Sequence, residues 1–597
     1  MESSTKTDRQ CPSPLDLSHH FSRATKSREQ SHIKDFYKYF AIPGIGQLAG
    51  GLPNASMFPY DTLEASVALP QRFTPTPNNP ADGRNISSHV ARTALKDPAS
   101  SHLLVPKASA TTDLVKKIDL TSGLQYGTAQ GYPPLFAFLR QFVRANLHPN
   151  VPYADGPEIT LTCGNTDGFS KAIEALSNEW SEERDWIRER EGLLVEEFCY
   201  MNAIQTAKPR GLQIVPVAMD GEGMISEGGG GLRDVLSNWD PSKGKRPHLL
   251  YTVTIGQNPT GGTLSVQRRK DLYSVCSEFD VIIIEDDPYW YLQYPSAVVA
   301  GKSCCEGISG ATLEPLQGQK SSGYEFLDSL VPSYLSVDTD GRVVRLDTFS
   351  KTIAPGCRLG WITAQPSIVE RILRIAETST QQPSGFVQLM VAELIIGPPK
   401  SDDDGRGGGP NGRGWDVDGW VRWLAGLRGA YERRMQTMCG ILDRGKHFVK
   451  SSPRIMDSSG RRGSITDNWD VIDQVKMFDF IWPQGGMFIW IQLNLESHPL
   501  FGKVSTDKLS RSLWIYLTTR PYLVLVSPGT LFAPTPEIAA AKGYRFFRLC
   551  FAAVEEKDLE PISHRFVACF NDFWTKTELK DPEDAGLLSL NHHDVTM

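Results

Sequence analysis

The 597-residue sequence lacks several features that would assign it to a specialised class of protein. It has no apolar run of about 18 residues, so no membrane span is predicted. The first residues contain no apolar stretch like that of a secretory signal, and the last residues, HHDVTM, do not form a peroxisomal tripeptide. An excess of positive charge is also absent, because 62 Lys and Arg stand against 69 Asp and Glu. This balance argues against nucleic acid or an anionic membrane as the main partner.

Organised cysteine spacing is absent as well. None of the ten cysteines forms a CxxC pair, and only Cys304 and Cys305 are adjacent. Such scattered cysteines are typical of free thiols in a reducing compartment, rather than of a disulfide framework or a zinc site. We therefore expect a cytoplasmic enzyme with no metal in its active site.

The chain is too long for one compact core, so two domains with insertions are predicted. The sequence shows no internal repeats. The predicted parts are an N-terminal segment over 1–45, a large α/β domain over 46–398 with an insertion near 301–324, a Gly- and Asp-rich insertion over 399–416, a small α+β domain over 417–575 and a polar tail over 576–597.

Short runs that are apolar throughout alternate with helix-like segments from residue 158 onwards. Such runs are typical of strands covered on both faces, as in a parallel sheet. The predicted strands lie in 158–164, 192–200, 212–219, 248–254, 280–287, 343–350 and 358–364. Helices are predicted over 167–180 and 263–280, the second as the crossover that a parallel pair requires. The predicted fold class is α/β: a large domain with a mostly parallel sheet covered by helices, plus a smaller α+β domain formed by the C-terminal part and the N-terminal segment.

Polar side chains follow several of these strands, at the edge where open α/β sheets bind ligands. Asp286 and Tyr289 follow one strand in EDDPYW, Asn258 follows another in GQNPTGG, and Tyr200 ends a third. The turn CGNTDGF leads from a strand into a helix N-terminus, which is a natural seat for phosphate.

A lysine at position 351 lies in DTFSKTIAPGCRLGW, after another predicted strand. Together with a buried carboxylate, an asparagine, a tyrosine, an aromatic plate and a phosphate seat, it completes the set of groups that pyridoxal phosphate needs. The lysine would bond the aldehyde of that cofactor, and the carboxylate would keep its pyridine nitrogen protonated.

These stretches resemble the fold-type I, pyridoxal-phosphate-dependent aminotransferases of class I/II. The resemblance is closest to the fungal aromatic amino acid aminotransferases and to the kynurenine/α-aminoadipate aminotransferases. From about residue 45 to about residue 555, the matching stretches in family order are LAGGLPNASMFP, LQYGTAQGYPPL, CGNTDGF, GQNPTGG, EDDPYW, DTFSKTIAPGCRLGW, PQGGMFIWI and FRLCF.

The resemblance implies a role for each residue around the cofactor ring. Lys351 would bond the cofactor covalently and then carry the proton during turnover. Asp286 would pair with the pyridinium nitrogen, and Asp287 is the alternative carboxylate. Asn258 and Tyr289 would hydrogen-bond the ring's phenolate oxygen, and Tyr289 is counted with Lys351 and Asp286 as catalytic. A further aromatic residue, Tyr200, would stack on the ring.

The resemblance also implies a phosphate site. Arg358 and the hydroxyl of Thr348 would hold the phosphate together with the turn at Asn165 and Thr166. Many relatives have Ser at the position of Thr348 and Ser-Gln at the positions of Asn165 and Thr166, so this chain departs from the usual pattern at these places. Tyr126 would reach the phosphate of the neighbouring subunit, which implies a homodimer with shared active sites.

Arg548 would bind the substrate α-carboxylate as a bidentate fork, and Asn258 and Gly51 would complete the substrate site. Arg545 is the competing arginine. Alternation along a strand would put the two arginines on opposite faces, and the resemblance selects Arg548.

The implied function is a ping-pong transaminase that moves the amino group of an amino acid, expected to be aromatic, to a 2-oxo acid such as 2-oxoglutarate. Two alternatives keep the cofactor: an enzyme of specialised or of lysine/kynurenine metabolism, and a β-eliminating or cyclopropane-forming enzyme. A transcription regulator of this fold would carry a winged helix-turn-helix ahead of the domain. The stretch before residue 45 is too short and not basic enough for one.

Overall fold

A computed structural model describes residues 11–30, 42, 44, 51–78, 100–299, 319–397, 414–450 and 473–579. Most of the two predicted insertions, and most of the tail predicted from residue 576, lie outside these residues. The described chain forms two compact units. The first extends to Glu432 and includes Gln484–Gly486, and the second contains the described residues from Arg433 to Pro483 and from Met487 onwards.

The strands of the first unit include the seven runs predicted from their apolar sequence. They are β1 (Thr62–Ala68), β2 (Ser100–Pro106), β3 (Glu158–Thr162), β4 (Gly192–Glu196), β5 (Gln213–Val217), β6 (Leu249–Thr252), β7 (Ile282–Asp286), β8 (Val343–Thr348) and β9 (Gly360–Ala364). The α-helices that begin in this unit are α1 (Arg23–Ser27), α2 (Leu120–Gly123), α3 (Pro133–Phe142), α4 (Asn165–Leu176), α5 (Met201–Ala207), α6 (Leu232–Ser237), α7 (Val266–Glu278), α8 (Pro295–Val299), α9 (Glu325–Asp328), α10 (Pro366–Glu377), α11 (Gly385–Ile395) and α12 (Asp416–Gly445).

Seven strands form the central sheet, in the order β3-β9-β8-β7-β6-β4-β5. The neighbours from β8 to β5 pair in parallel, whereas β9 is antiparallel to both β8 and β3. Every residue of β4, β6, β7, β8 and β9 is buried, as expected for strands covered on both faces. The predicted α/β class with a mostly parallel sheet is confirmed.

The helix α7 is the crossover between β6 and β7. Ser265 is its N-cap, and the Ser265 hydroxyl accepts a hydrogen bond from Arg268 N at 3.2 Å. Its buried residues include Leu272, Val275 and Cys276, which belong to the same hydrophobic cluster as residues of β6 and β7. This crossover brings the carboxyl ends of the two parallel strands to one edge of the sheet.

The second unit is α+β. Its strands are β10 (His447–Lys450), β11 (Asp473–Lys476), β12 (Phe478–Asp479), β13 (Phe488–Leu493), β14 (Ser527–Pro528) and β15 (Phe546–Cys550), and its helices are α13 (Thr506–Thr518), α14 (Pro536–Ala541) and α15 (Glu556–Phe573). Four strands form an antiparallel sheet in the order β12-β13-β15-β14. One face of this sheet buries Ile489, Ile491, Phe547 and Leu549. The Phe566 and Phe570 rings of α15 pack on Phe478.

The described part of the N-terminal segment, 11–30, belongs to the first unit, and the expectation that it joins the smaller domain is wrong for these residues. Leu17 and Phe21 are buried there, and Ser22 N donates to Ala175 O at 2.8 Å. Backbone bonds and buried apolar area on α4 therefore hold this segment. None of the helices in the described ranges is long and apolar enough to span a membrane.

Candidate active site

Asp286 is the last residue of β7, at the carboxyl edge of the central sheet, and it is only 6% exposed. Tyr251 on the neighbouring β6 donates its hydroxyl to Asp286 Oδ2 at 2.7 Å, and Asn165 Nδ2 donates to Oδ1 at 2.6 Å. Burial raises the pKa of Asp286 to about 6, although these two hydrogen bonds oppose the rise. A positive charge beside this carboxylate would therefore favour its ionised form.

Asp287, the alternative carboxylate, is engaged in a different network. It accepts hydrogen bonds from Thr254 N and Oγ1 and from Ile255 N. Arg345 Nη1 lies 3.1 Å from its Oδ2, and both side chains are fully buried. These contacts occupy both Asp287 oxygens with protein groups, which favours Asp286 as the carboxylate that contacts a ligand.

Gly164 precedes the first residue of α4 and has a φ of +94°, a conformation that favours glycine. A Cβ at this position would lie 2.7 Å from Arg358 Nη2. That nitrogen donates to Cys163 O at 3.2 Å, and Nη1 donates to Pro355 O at 3.0 Å. The guanidinium therefore lies beside the N-terminus of a twelve-residue helix. Positive charge and unpaired backbone N–H groups together suit an anion such as phosphate.

The sequence predicted that the turn at Asn165 holds phosphate, but the Asn165 side chain makes its hydrogen bonds elsewhere. Its Nδ2 donates to Asp286 and also to Leu346 O at 3.1 Å, so the amide orients the carboxylate. Its Oδ1 is buried and has no hydrogen-bond partner within the described ranges. This oxygen offers an unused acceptor beside Asp286.

Tyr200 precedes the first residue of α5 and is half-buried. Its hydroxyl accepts a hydrogen bond from Asn202 Nδ2 at 2.7 Å. Burial raises the pKa of Tyr200, the charge of Asp286 raises it further, and hydrogen bonding to Asn202 and Thr166 opposes the rise. Tyr200 and Thr166 therefore belong to the same group of side chains as Asp286.

The turn that carries Lys351 follows β8 directly. Thr348 caps the 3₁₀ turn Phe349–Lys351 by accepting a hydrogen bond from Ser350 N at 3.1 Å. The two hydroxyl oxygens of Thr348 and Ser350 are 2.9 Å apart, and Arg358 Nη1 donates to Ser350 Oγ at 3.4 Å. The turn thus brings Thr348 and Arg358 together, with Lys351 half-buried at its end.

Asn258 and Tyr289 are both buried, with 7% and 5% exposure. Asn258 comes after β6, and Tyr289 comes three residues after the end of β7. Since β6, β7 and β8 are neighbours in the sheet, the segments that carry Asn258, Tyr289 and Lys351 leave the same edge of it. The strand ends therefore collect most of the predicted cofactor residues of this unit.

Comparison with known proteins decides the family. The model of aminotransferase class I and II matches residues 125–408. An aromatic amino acid aminotransferase of Schizosaccharomyces pombe is 31% identical to this chain over 557 residues, which cover 93% of this chain and 97% of the relative. The chain belongs to the class I and II aminotransferases.

Further relatives agree with this assignment. An L-tyrosine:2-oxoglutarate aminotransferase of Tapinella panuoides is 32% identical over 494 residues, covering 82% of this chain and 76% of the relative. The crystal structure of aminotransferase Aro8 from Candida albicans matches with a TM-score of 0.69 and 29% identity, covering 95% of this chain and 100% of that one. The resemblance and the enzyme class inferred from the sequence are confirmed, and the protein is a transaminase.

Two predicted site residues of this aminotransferase lie at the surface of the first unit. Tyr126 is 58% exposed, and Gly51 is exposed with open space where a Cβ would be. Gln125 Nε2 donates to Pro53 O at 2.7 Å, so the two loops that carry them are joined. This hydrogen bond connects the loop of Tyr126 with the loop of Gly51.

Arg548 lies on β15 in the second unit of the aminotransferase. Its guanidinium carbon is 4.3 Å from the Phe488 ring centroid and 4.6 Å from that of Phe532, and Nη2 donates to Ser527 Oγ at 3.3 Å. Arg545 ends a 3₁₀ turn before the strand and pairs with a carboxylate of Glu496 at 2.7 Å. The expected alternation of the two arginines along one strand is therefore wrong, because Arg545 is not part of β15.

Sequence reasoning missed Tyr251 and Ser350. A tyrosine in the buried strand HLLYTVT was a signal for the first, since a buried phenol needs a hydrogen-bond partner. A hydroxyl directly before Lys351 was a signal for the second. Neither signal names the partner, which lies on another strand or loop.

Proposed function

We propose that this aminotransferase binds pyridoxal phosphate at the carboxyl edge of its central sheet and transfers the amino group of an aromatic amino acid to a 2-oxo acid such as 2-oxoglutarate. The observation that supports it best is the buried carboxylate of Asp286 beside a helix N-terminus that also faces Arg358. The cofactor has a protonated ring nitrogen at one end and a phosphate near the other. The Asp286 carboxylate matches the first in charge, and the helix N-terminus with Arg358 matches the second.

The residues at the strand ends fit this cofactor chemically. Asp286 has a pKa raised by burial, which a neighbouring pyridinium would lower. Asn165 Oδ1 is a buried acceptor with no partner among the described residues. Gly164 lets the Arg358 guanidinium lie against the start of α4, because an added Cβ would be only 2.7 Å from Arg358 Nη2. A cationic ring beside Asp286 and an anionic phosphate beside Arg358 would match the charges of these two groups.

Each protein group then has a defined task. When bound, pyridoxal phosphate supplies an aldehyde that bonds amines and a protonated ring that accepts electrons. Lys351 Nζ would hold the aldehyde carbon until the substrate amine replaces it, and would then move the proton at the substrate Cα. Asp286 would keep the ring nitrogen protonated, and Asn258 and Tyr289 would donate hydrogen bonds to the ring oxygen. Tyr200 would stack on the ring.

The phosphate and the substrate carboxylate would be bound by separate cationic groups. Arg358, the Thr348 hydroxyl and the turn at Asn165 and Thr166 would hold the phosphate through charge-assisted hydrogen bonds. Arg548 would bind the α-carboxylate as a planar fork. Because one site serves the donor and then the acceptor, the reaction follows a ping-pong order.

Three finer points belong to the same proposal. The aromatic donor and 2-oxoglutarate are supported by the names of the Schizosaccharomyces pombe and Tapinella panuoides relatives. A homodimer with shared active sites is supported by the exposure of Tyr126 on its glycine-containing loop. A cytoplasmic location is supported by the free thiols of the eight described cysteines.

A substrate panel tests the reaction. Phe, Tyr, Trp, kynurenine and 2-aminoadipate are each given with 2-oxoglutarate, and glutamate is measured. We expect the aromatic donors to form glutamate fastest, and we expect Lys351→Ala to abolish it while exposed Lys557→Ala retains wild-type turnover. Near-normal turnover in Lys351→Ala would falsify the central assignment. Ammonia or a cyclic product in place of glutamate would replace transamination by elimination or ring formation.

A further inference from the structure

A cluster of side chains that can bind metal lies away from the strand ends described above. It consists of His19, His20 and Asp280, whose ligand atoms all lie within 4.8 Å of one another. His19 Nε2 is 2.6 Å from Asp280 Oδ2, and His20 Nε2 is 3.1 Å from Asp280 Oδ1. Asp280 comes just before β7, so the cluster lies at the end of this strand opposite to Asp286.

The backbone on both sides of the histidines is anchored to the first unit. Leu15 N donates to Asp340 O at 2.9 Å, and Ser22 N donates to Ala175 O at 2.8 Å. Between these two anchors the chain forms the 3₁₀ turn Ser18–His20. Both imidazoles are therefore presented by a short segment that is held at its two ends.

His20 is buried, and its side chain is 5% exposed. Its Nε2 makes no hydrogen bond of acceptable geometry within the described part of the chain, although it lies close to Asp280. Its ring stacks on His248 at 5.2 Å, and His248 Nε2 donates to Leu176 O at 3.0 Å. A fixed and buried imidazole nitrogen of this kind is suited to donate its lone pair to a metal ion.

The charges around the cluster favour a cation. Arg342 Nη1 lies 3.5 Å from Asp280 Oδ1, but its Nε donates to Asp340 Oδ2 at 2.9 Å and its Nη1 to Val281 O at 3.1 Å. The carboxylates of Asp280 and Asp340 therefore outnumber the single guanidinium of Arg342. Asp280 has a φ of 55°, and Asn is the other side chain that commonly adopts this conformation.

We propose that His19, His20 and Asp280 bind one divalent transition-metal ion, expected to be Zn²⁺, which fastens residues 11–30 to the first unit. Two imidazoles and one carboxylate form a known ligand set for this ion, and the exposure of His19 leaves a fourth position to water. Tetrahedral zinc bonds of about 2.0–2.1 Å place ligand atoms roughly 3.3 Å apart. The two carboxylate contacts, 2.6 and 3.1 Å, would open by less than about 1 Å to admit the ion, and any pair of ligand atoms as far apart as 4.8 Å would close by about 1.5 Å.

Zinc binding is measured on the tag-free, full-length, cofactor-loaded enzyme after dialysis against EDTA and then against buffered Zn²⁺. Elemental analysis should find about one zinc per chain, and Co²⁺ in its place should show the visible absorption of a low-symmetry, tetrahedral-type site. His19→Ala and Asp280→Asn should each weaken Zn²⁺ binding by at least about tenfold. His19 is exposed and Asn tolerates the backbone at position 280, so both variants should fold.

His102→Ala is the matched control. His102 Nε2 also lies 3.1 Å from a carboxylate, that of Glu64, and among the described residues this pair is not part of a three-ligand group. The control should bind zinc like the wild type, because a lone histidine–carboxylate pair offers too few ligands.

Limited trypsin digestion gives a second readout, since Arg23, Lys26 and Arg28 follow the histidines closely. Saturating Zn²⁺ should slow cleavage there by at least about tenfold in the wild type and have little effect in Asp280→Asn. Transaminase activity should stay the same in His19→Ala. Less than about 0.1 zinc per chain, or zinc binding that both variants retain, would overturn the proposal. The cluster would then be an imidazole–carboxylate contact only.

Discussion

At the scale of single residues, adjacent Asp286 and Asp287 show how the environment separates two identical side chains. Asp287 is bonded to the backbone at Thr254 and Ile255 and paired with Arg345. Asp286 is contacted by the neutral donors of Tyr251 and Asn165. The same carboxylate can therefore stabilise the fold at one position and bind a cationic ring at the next.

Exchanging each carboxylate for its amide should separate these two tasks. Asp286→Asn should fold normally and lose roughly 10²- to 10³-fold in turnover, because a buried charge pair with the cofactor is lost. Asp287→Asn should lower the free energy of unfolding by about 3 kcal/mol, because the charge of Arg345 is then partly uncompensated. Turnover and urea denaturation of both variants provide the measurement. If Asp286→Asn kept turnover within about threefold while Asp287→Asn lost it, the roles would be reversed.

Asp286 should also leave a pH signature in the cofactor-free protein. Burial raises its pKa from 3.8 to about 6, so the folded protein holds this proton more tightly than the unfolded chain between these values. The stability that this group contributes is present below about pH 4 and is lost as the pH rises through about 6. Asp286→Asn lacks this titration. Its free energy of unfolding relative to wild type should therefore rise by up to about 3 kcal/mol from pH 4 to pH 7. A pH-independent difference in urea denaturation would contradict the raised pKa.

At the scale of elements, one glycine allows Arg358 to approach the N-terminus of α4. Gly164 and Gly228 have similar φ angles, +94° and +90°, but only Gly164 has a neighbour, Arg358, within 4 Å of an added Cβ. The two positions therefore share the backbone cost of a substitution and differ in the steric contact.

Replacing each of these glycines by alanine should isolate the contact. Both variants should lose about 1 kcal/mol or more of stability through the positive φ. Gly164→Ala should also bind pyridoxal phosphate roughly 10- to 100-fold more weakly, because the methyl group displaces Arg358 from the proposed phosphate seat. Titration of the cofactor-free protein measures this affinity. Equal cofactor affinity in Gly164→Ala and Gly228→Ala would argue against a phosphate at the start of α4.

At the scale of the whole molecule, the proposed dimer can be tested by mixing two kinds of impaired chain. If Tyr126 reaches the partner's site, a heterodimer of Tyr126→Phe and Lys351→Ala chains has one site with both defects and one with neither. Its activity should be about half that of a wild-type dimer. The control mixture contains Tyr60→Phe chains, which change another exposed tyrosine, together with Lys351→Ala chains. Its activity should not exceed that of the Tyr60→Phe chains alone.

Two conditions make the mixing result decisive. Tyr126→Phe must be impaired by itself, which is expected because a phenol bonded to phosphate is worth about 1.5–3 kcal/mol. Heterodimers must also be shown to form, for example with chains of different mass. If both hold and mixing gives no recovery, Tyr126 serves its own subunit or none.

The sequence by itself determined which segments become strands of the central sheet and which family the chain resembles. The seven apolar runs were sufficient to predict these strands, because a strand that is buried on both faces is apolar along its whole length. The motifs around Lys351, Asp286 and Asn258 were readable for a similar reason, since each is a short contiguous turn at a strand end.

Only the tertiary structure decided which distant groups meet. Asn165 reaches Asp286 across 121 positions and Tyr251 reaches it across 35, and no periodicity predicts either contact. The antiparallel direction of β9, the position of Arg545 in a turn before β15 and the docking of residues 11–30 on the first unit were equally unreadable. Local patterns record whether a side chain is buried. The choice of its partner depends on the packing free energy of the whole unit, which is shared among segments that lie far apart in the chain.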